Sequence, residues 1–198
     1  MRTICVTGGI GAGKTVVTER LRARGVAVVD ADQVAHEVTA PGTPAYEALR
    51  DAFGDAILTP TREIDRPFLA AVVFHDTWAL RRLNRITHGP IGEEIARRLA
   101  ALEAPVAVVA LPLFRPEHRE AFGFTEVWAV QVPEEVAVRR LVEGRGYREE
   151  EARARLAAQV TNDEREAMVD RVLWNTGTLD ELYRTVDELV VESGITSG

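Results

Sequence analysis

Apolar residues in this chain gather into short continuous runs set between longer stretches of helical periodicity. Arg2 to Val6, Val26 to Val29, Val106 to Ala110 and Val127 to Val132 are four such runs, rich in β-branched residues, and Arg171 to Trp174 is a weaker fifth. A strand that is apolar at successive positions is buried on both faces, which is the situation of a parallel sheet covered by helices. The pattern therefore predicts an α/β fold of three layers, with a parallel sheet between two layers of helices.

The stretches between the runs read as helices. One follows the first run and reaches about Arg24. Residues 33–103 carry helical patterns only and read as a helical insertion. Within it, Asp65-Arg66-Pro67 has the form of a helix start, and Pro90 is expected to open another. A helix follows Pro133. The charged run Glu143 to Glu151 comes next, with Gly144 and Gly146 as expected hinge points in a mobile lid at about 140–160. Leu179, Leu182, Tyr183, Val186, Leu189 and Val190 form a stripe of period 3.6 on the last helix, which is expected to pack on the sheet. With no internal repeat and no linker-like segment, residues 1–198 read as one domain.

The chemistry begins at Gly8-Gly9-Ile10-Gly11-Ala12-Gly13-Lys14-Thr15, which joins the first strand to the first helix. Its glycines allow the backbone to wrap closely around phosphates and aim N–H groups at them, and the helix N-terminus adds positive potential. Gly9, Gly11, Ala12, Gly13, Lys14 and Thr15 are the expected nucleotide-binding residues. Lys14 reaches the β and γ phosphates of ATP, and Thr15 ligates Mg²⁺. The competing explanation is a chance glycine-rich turn, which the strand before and helix after disfavour.

Asp30 and Asp32 follow the second strand, at the edge where open parallel sheets bind ligands. A carboxylate there can accept a hydroxyl proton, or cap a helix as Asp32 is also able to do. The phosphate loop on the same edge favours function for Asp32. Arg139, Arg140, Arg145 and Arg148 cluster around the charged segment, where their forks suit a phosphoryl group in transfer. A solvated helical face accounts equally well for any one of them, and less well for the cluster as a whole. His88 is ambiguous between a structural and a binding role, Trp128 reads as core, and Asn175-Thr176-Gly177 reads as a turn after the last strand.

Composition narrows the partners. The chain has 198 residues, 46% of them hydrophobic, and a net charge of -7. An acidic surface repels a phosphodiester backbone, so nucleic acid is not an expected partner. A small anionic substrate must be met by a local basic pocket. Cys5 is the only cysteine, so no intrachain disulfide forms. The N-terminus lacks a secretory apolar region, and the longest apolar stretch, Ala104 to Phe114, is too short and proline-broken to span a membrane. The expected location is the cytoplasm. No His/Cys metal cluster and no Ser-His-Asp order stands out.

Taken together, these residues resemble the dephospho-coenzyme A kinase family from Thr3 to about Val190. The specific signals are Val29-Asp30-Ala31-Asp32 followed by Val34-Ala35-His36-Glu37-Val38, then Pro41-Gly42-Thr43, and the lid run Arg139-Arg140-Leu141 with Glu151 to Gln159. Asp170 and Asn175-Thr176-Gly177 are similar to the family's adenine-side loop. The resemblance implies a five-stranded parallel sheet in P-loop kinase order, a helical acceptor-binding insertion and an arginine lid. It implies ATP, Mg²⁺ and phosphorylation of the ribose 3′-hydroxyl of dephospho-coenzyme A. By it Lys14 and Thr15 handle ATP and Mg²⁺, Asp32 is the base, Arg140 and Arg145 stabilise the transferred group, and Asn175 and Gly177 lie beside the nucleotide. His88, Pro112 and Leu113 are expected in the acceptor wall.

The chain departs from the family where His88-Gly89 replaces a His-Pro pair. It departs again where Pro112-Leu113-Phe114-Arg115-Pro116 replaces Pro-Leu-Leu with a glutamate two positions on. Ala110 stands for a common acidic residue, and Gly144-Arg145 for an Arg-Asp pair. These departures fit a divergent member, the preferred reading, or a related kinase acting on another small-molecule hydroxyl. A nucleotide-switch protein is the third possibility, which the insertion, Asp32 and the arginines disfavour.

Overall fold

The computed structural model describes residues 1–74 and 76–195. They form two compact units, one made of Met1–Asp30 with the chain from Leu102 onward, the other of Ala31–Ala101. The first unit opens with β1 (Arg2–Gly8), α1 (Lys14–Ala23) and β2 (Ala27–Asp30). The second holds α2 (Ala31–Val38), α3 (Pro44–Phe53), α4 (Arg66–Phe74) and α5 (Thr77–Ala100). The first then resumes with β3 (Val106–Ala110), α6 (Pro116–Phe122), β4 (Phe124–Gln131), α7 (Glu134–Arg145), α8 (Glu149–Ala157), α9 (Asn162–Glu166), β5 (Arg171–Trp174) and α10 (Leu179–Glu192).

The five strands are parallel, in the order β2-β3-β1-β4-β5. Ala110 lies beside both Val6 and Asp30, Gly8 beside Val130, and Gln131 beside Trp174. The strands' carboxyl ends therefore come level on one edge, and the segments leaving it include the glycine loop, Pro112-Leu113 and Asn175. Ligands of open α/β sheets bind at such an edge.

Ile4, Val6, Val108, Trp128 and Val130 are fully buried and pack with Val17 and Leu21 of α1 and with Leu182 and Val186 of α10. The Trp128 indole N–H donates to Glu126 Oε2 at 2.7 Å, which satisfies its one polar atom. Cys5 is buried in β1, and burial pushes its thiol far above the usual range despite the opposing charges of Lys14 and Arg119. β5 reads weakly in the sequence because it is an edge strand. Only Leu173 is buried in it, and Trp174 is exposed.

The stripe on α10 buries Leu182, Val186, Leu189 and Val190 as expected, while Leu179, in the first turn, is 52% exposed. Thr178 caps this helix, and Glu181 returns a hydrogen bond to the Thr178 N–H at 2.7 Å. Arg20 of α1 holds Asp187 of α10 through a two-pronged ion pair, with Nε–Oδ1 at 2.9 Å. Hydrogen bonding to Arg20 lowers the Asp187 carboxyl below its ordinary value. A depressed carboxylate contributes stability above its unfolded value and loses it as pH falls through the folded one. Asp187→Asn should therefore cost no more than about 1 kcal/mol near neutrality, and the gap between variant and wild type should close in acid. Paired thermal melts across that pH range measure it, and a gap that persists in acid would remove the ion pair as its source.

In the helical unit, Asp65 starts α4 as expected, accepting the Phe68 N–H at 3.0 Å. Pro90 does not start a helix. It lies inside α5, whose true start is Asp76, accepting N–H bonds from Trp78 and Ala79 at 2.8 and 3.1 Å. A proline forfeits one helical hydrogen bond, but α5 packs along α2, α3 and α4, and that burial carries the helix through. Tyr46, Leu49, Ile57, Leu69 and Val73 form this unit's own core.

The charged run is a helix–turn–helix rather than an irregular hinge. Gly144 sits within α7, and only Gly146, at φ 69, takes a left-handed conformation, as the residue that ends α7.

Candidate active site

The loop between β1 and α1 is held by contacts that only glycine permits. A Cβ at Gly8 would stand 2.7 Å from the Val130 carbonyl oxygen of the neighbouring strand. Gly11 and Gly13 have φ of 77 and 97, and Gly13 immediately precedes α1. Their left-handed backbones let the loop turn tightly just ahead of a helix N-terminus, a place that suits an anion. The Ala12 N–H closes the turn onto the Gly9 carbonyl at 3.1 Å. Lys14 and Thr15 open α1, and Thr15 is exposed.

Asn175 and Arg140 brace the loop from the β5–α10 side. Asn175 is 7% exposed and donates to the Ala12 carbonyl at 2.9 Å. Arg140, on α7, donates to the Asn175 carbonyl at 3.0 Å and to the Gly11 carbonyl at 3.4 Å. Arg145 does not share this position. It is the last residue of α7 and exposed to solvent. Gly177 packs against the carboxylate of Glu181, so a side chain there would disturb the start of α10.

The other end of the loop meets the segment after α8. Gln159 Oε1 accepts the Ile10 N–H at 2.9 Å. Arg165 lies close to Gly9, one Nη 3.4 Å from the place a Gly9 Cβ would take. A cavity of about 320 Å³ opens here, lined by Gly9, Ile10, Ala12, Gln159, Asn162 and Arg165 among others. Ile10 itself packs with Val138, Leu141 and Ala152, which ties the loop to α7 and α8.

Pro112 and Leu113 are exposed just past β3. The next residues explain the unusual sequence there. Phe114 is 3% exposed and stacks within an aromatic group, its ring centroid 6.2 Å from His118 and 6.5 Å from Phe124. Pro116 is the first residue of α6, and the Arg115 N–H donates to His118 Nδ1 at 3.2 Å. Ala110 is fully buried in β3.

Asp32 and His88 belong to the helical unit, both exposed, on α2 and α5, which pack on each other. The capping role considered for Asp32 does not fit, because Asp32 is already the second residue of α2 and Asp30 holds the position before the helix. Arg66 of α4 reaches α2, donating to Thr39 Oγ1 at 2.8 Å and His36 Nδ1 at 3.2 Å. Burial lowers the Arg66 guanidinium, and the charge of Asp32 works against that.

The family described as dephospho-CoA kinase (CoaE) matches residues 2–181. This chain belongs to the dephospho-CoA kinase family. A dephospho-CoA kinase from Thermobifida fusca is 41% identical over 96% of this chain and 94% of its own length. Among solved structures, TT1252 from Thermus thermophilus is 30% identical with a TM-score of 0.81, covering 96% of this chain and 97% of that one. A dephospho-CoA kinase from Campylobacter jejuni is 25% identical with a TM-score of 0.65, covering 100% and 98%. The five-stranded parallel sheet and the kinase class follow the expectation drawn from the sequence.

Two residues of this kinase, Arg165 and Arg66, make contacts that escape a reading of sequence alone. Arg165 sits in the run Asn162-Asp163-Glu164-Arg165-Glu166, which looks like a solvated helical turn. Arg66 reads only as part of a helix start, and Gln159 is read only as the end of the lid run, without its contact to Ile10. Each becomes visible through what it touches. Among the described residues no helix is long and apolar enough to cross a membrane, and no cluster of three His, Cys, Asp or Glu could hold a metal. Mg²⁺ bound on nucleotide needs no such cluster, since phosphates and water fill most of its shell. The exposed Thr15 at the helix start fits that use.

Proposed function

We propose that this kinase moves the terminal phosphoryl group of ATP to the ribose 3′-hydroxyl of dephospho-coenzyme A, giving coenzyme A and ADP. Membership of the family carries the reading, and a loop shaped for a triphosphate supports it. The amides of Gly11, Gly13, Lys14 and Thr15 bind phosphate oxygens, and the Lys14 ammonium balances their charge. Thr15 would hold Mg²⁺ together with those oxygens, and the cation would supply positive charge beside the diphosphate. Asp32 takes the proton of the 3′-hydroxyl as its oxygen bonds to the phosphorus and the bond from phosphorus to the bridging oxygen of ADP breaks. Arg140 keeps Gly11 and Asn175 in register, with Asn175 and Gly177 beside the nucleoside. Arg145 is carried by the α7–α8 segment, which serves as the lid. His88, Pro112 and Leu113 contribute to acceptor binding.

The departures from the family pattern argue less for another acceptor once their places are known. Ala110 and Phe114 are buried, and Pro116 starts a helix. Arg115 has Glu117 at 3.9 Å. Ala110, Phe114 and Pro116 serve the fold of the β3–α6 connection, so these three need not report on the acceptor, whereas Arg115 is exposed. The test is a competition at limiting ATP between dephospho-coenzyme A and other adenosine- or ribose-bearing alcohols, read by mass spectrometry. The 3′-phosphorylated coenzyme should dominate the products. Phosphorylation of another alcohol with none of coenzyme A would refute the acceptor, and ATP hydrolysis with no phosphorylated product would favour a nucleotide switch.

A further inference from the structure

The segment between α8 and α9 sets a buried cation against the start of the phosphate loop. Arg165 is 9% exposed, and its guanidinium donates to the Val160 carbonyl at 2.7 Å and to Asn162 Oδ1 at 3.0 Å. Both acceptors are neutral. Its acidic neighbour Glu164 is engaged elsewhere, accepting the Thr161 N–H at 2.9 Å. Burial lowers the guanidinium below its ordinary value, and no carboxylate forms an ion pair with it among the described residues, although Glu134 and Asp163 also line the cavity beside it. A guanidinium offers five N–H donors, and two are satisfied here. Burying a cation without a counter-ion is costly, and the cost is recovered when an anion arrives beside it.

The cavity at the loop's Gly9–Ile10 end supplies the place for that anion. Asn175 and Arg140 grip the loop at Ala12 and Gly11, while Arg165 and Gln159 meet it at Gly9 and Ile10. If the nucleoside lies on the Asn175 side, as the function above has it, the far end of the triphosphate lies toward Gly9. Only the terminal phosphoryl group has three non-bridging oxygens, so it can take an added donor after the loop amides are served.

We infer that Arg165 contacts the terminal phosphoryl group of bound ATP and that Gln159, through the Ile10 N–H, holds the loop open for it. The inference rests on the ATP-dependent reading of this site and does not depend on which alcohol is phosphorylated.

The test compares ATP and ADP binding by calorimetry, together with turnover, in wild type, Arg165→Gln, Arg165→Lys and Asn162→Ala. Arg165→Gln should weaken ATP by about tenfold or more, the loss of one charge-assisted contact, and leave ADP within about twofold. Turnover should fall with it, and Arg165→Lys should regain part of the ATP affinity because it keeps the charge. Asn162→Ala removes one local acceptor of Arg165 but not the cation, and should leave the ratio of ATP to ADP affinity as in wild type. Equal weakening of both nucleotides by Arg165→Gln, no weakening, or an Asn162→Ala variant that reproduces its loss of discrimination would make Arg165 a brace for α9 and overturn the inference. Should Arg165→Gln fail to fold, Arg165→Lys carries the comparison, since a shorter, single-point donor must still weaken ATP more than ADP. Wild type that forms no product from dephospho-coenzyme A would remove the acceptor reading, while the ATP-to-ADP ratio would still decide the role of Arg165.

Discussion

Lys14→Ala should lower turnover by about 10²–10³-fold in a protein that melts like wild type. Lys14 is the first residue of α1, and its backbone amide belongs to the loop's cradle whatever side chain it bears. Alanine is the best helix former, so the substitution leaves α1 intact. What disappears is a charge set in advance where phosphate charge shifts during transfer, and water reorganising around the gap is a poor replacement. ATP affinity should fall as well, since the ammonium meets the ground state too, but by less than turnover. Steady-state kinetics with a thermal melt on the same preparation decide it. Near-normal turnover from a folded Lys14→Ala variant would remove the phosphate-loop reading of Gly8 to Thr15.

The parts of this fold that a sequence shows plainly are those where one residue type is forced. β1, β3 and β4 are buried on both faces, so nearly every position must be apolar and the runs announce themselves. Gly8, Gly11 and Gly13 are forced by a close approach or a left-handed backbone, and so the loop reads as a motif. β5 is half-hidden because one side of it faces solvent, and α5 is misdivided because Pro90 looks like a boundary while tertiary packing carries the helix across it. The site is legible in the same uneven way. Lys14 and Thr15 are fixed by spacing within one segment. Arg165 and Gln159 reach the loop from nearly the opposite end of the chain, and a cation's burial is a property of the folded surface around it. The arginines around residue 145 drew attention through local density and the family's lid pattern; Arg140 donates to the Gly11 and Asn175 carbonyls, and Arg145 ends α7 in solvent. Charge density in a sequence marks a solvated helix as readily as a phosphate site.

Asp32→Asn separates chemistry from helix stability at one position. Asp32 is the second residue of α2, in its first turn, so its charge favours the helix dipole by about 0.3–1 kcal/mol. Asparagine keeps the shape and loses that charge, so the variant should fold and melt only slightly lower. If Asp32 is the base that accepts the 3′-hydroxyl proton, turnover at saturating substrates should drop by about 10²-fold or more while ATP still binds. A purely helical role predicts the small stability loss with turnover unchanged. Asp32→Glu then distinguishes charge from position. Glutamate serves the helix start as well as aspartate does, but its longer side chain moves the carboxylate away from the point where the proton must be taken. The glutamate variant should therefore recover full stability and only part of the rate. Full-speed turnover by Asp32→Asn would leave the proton to another group or to water, and Asp32 would stand as a helix-start residue whose charge offsets the burial of Arg66.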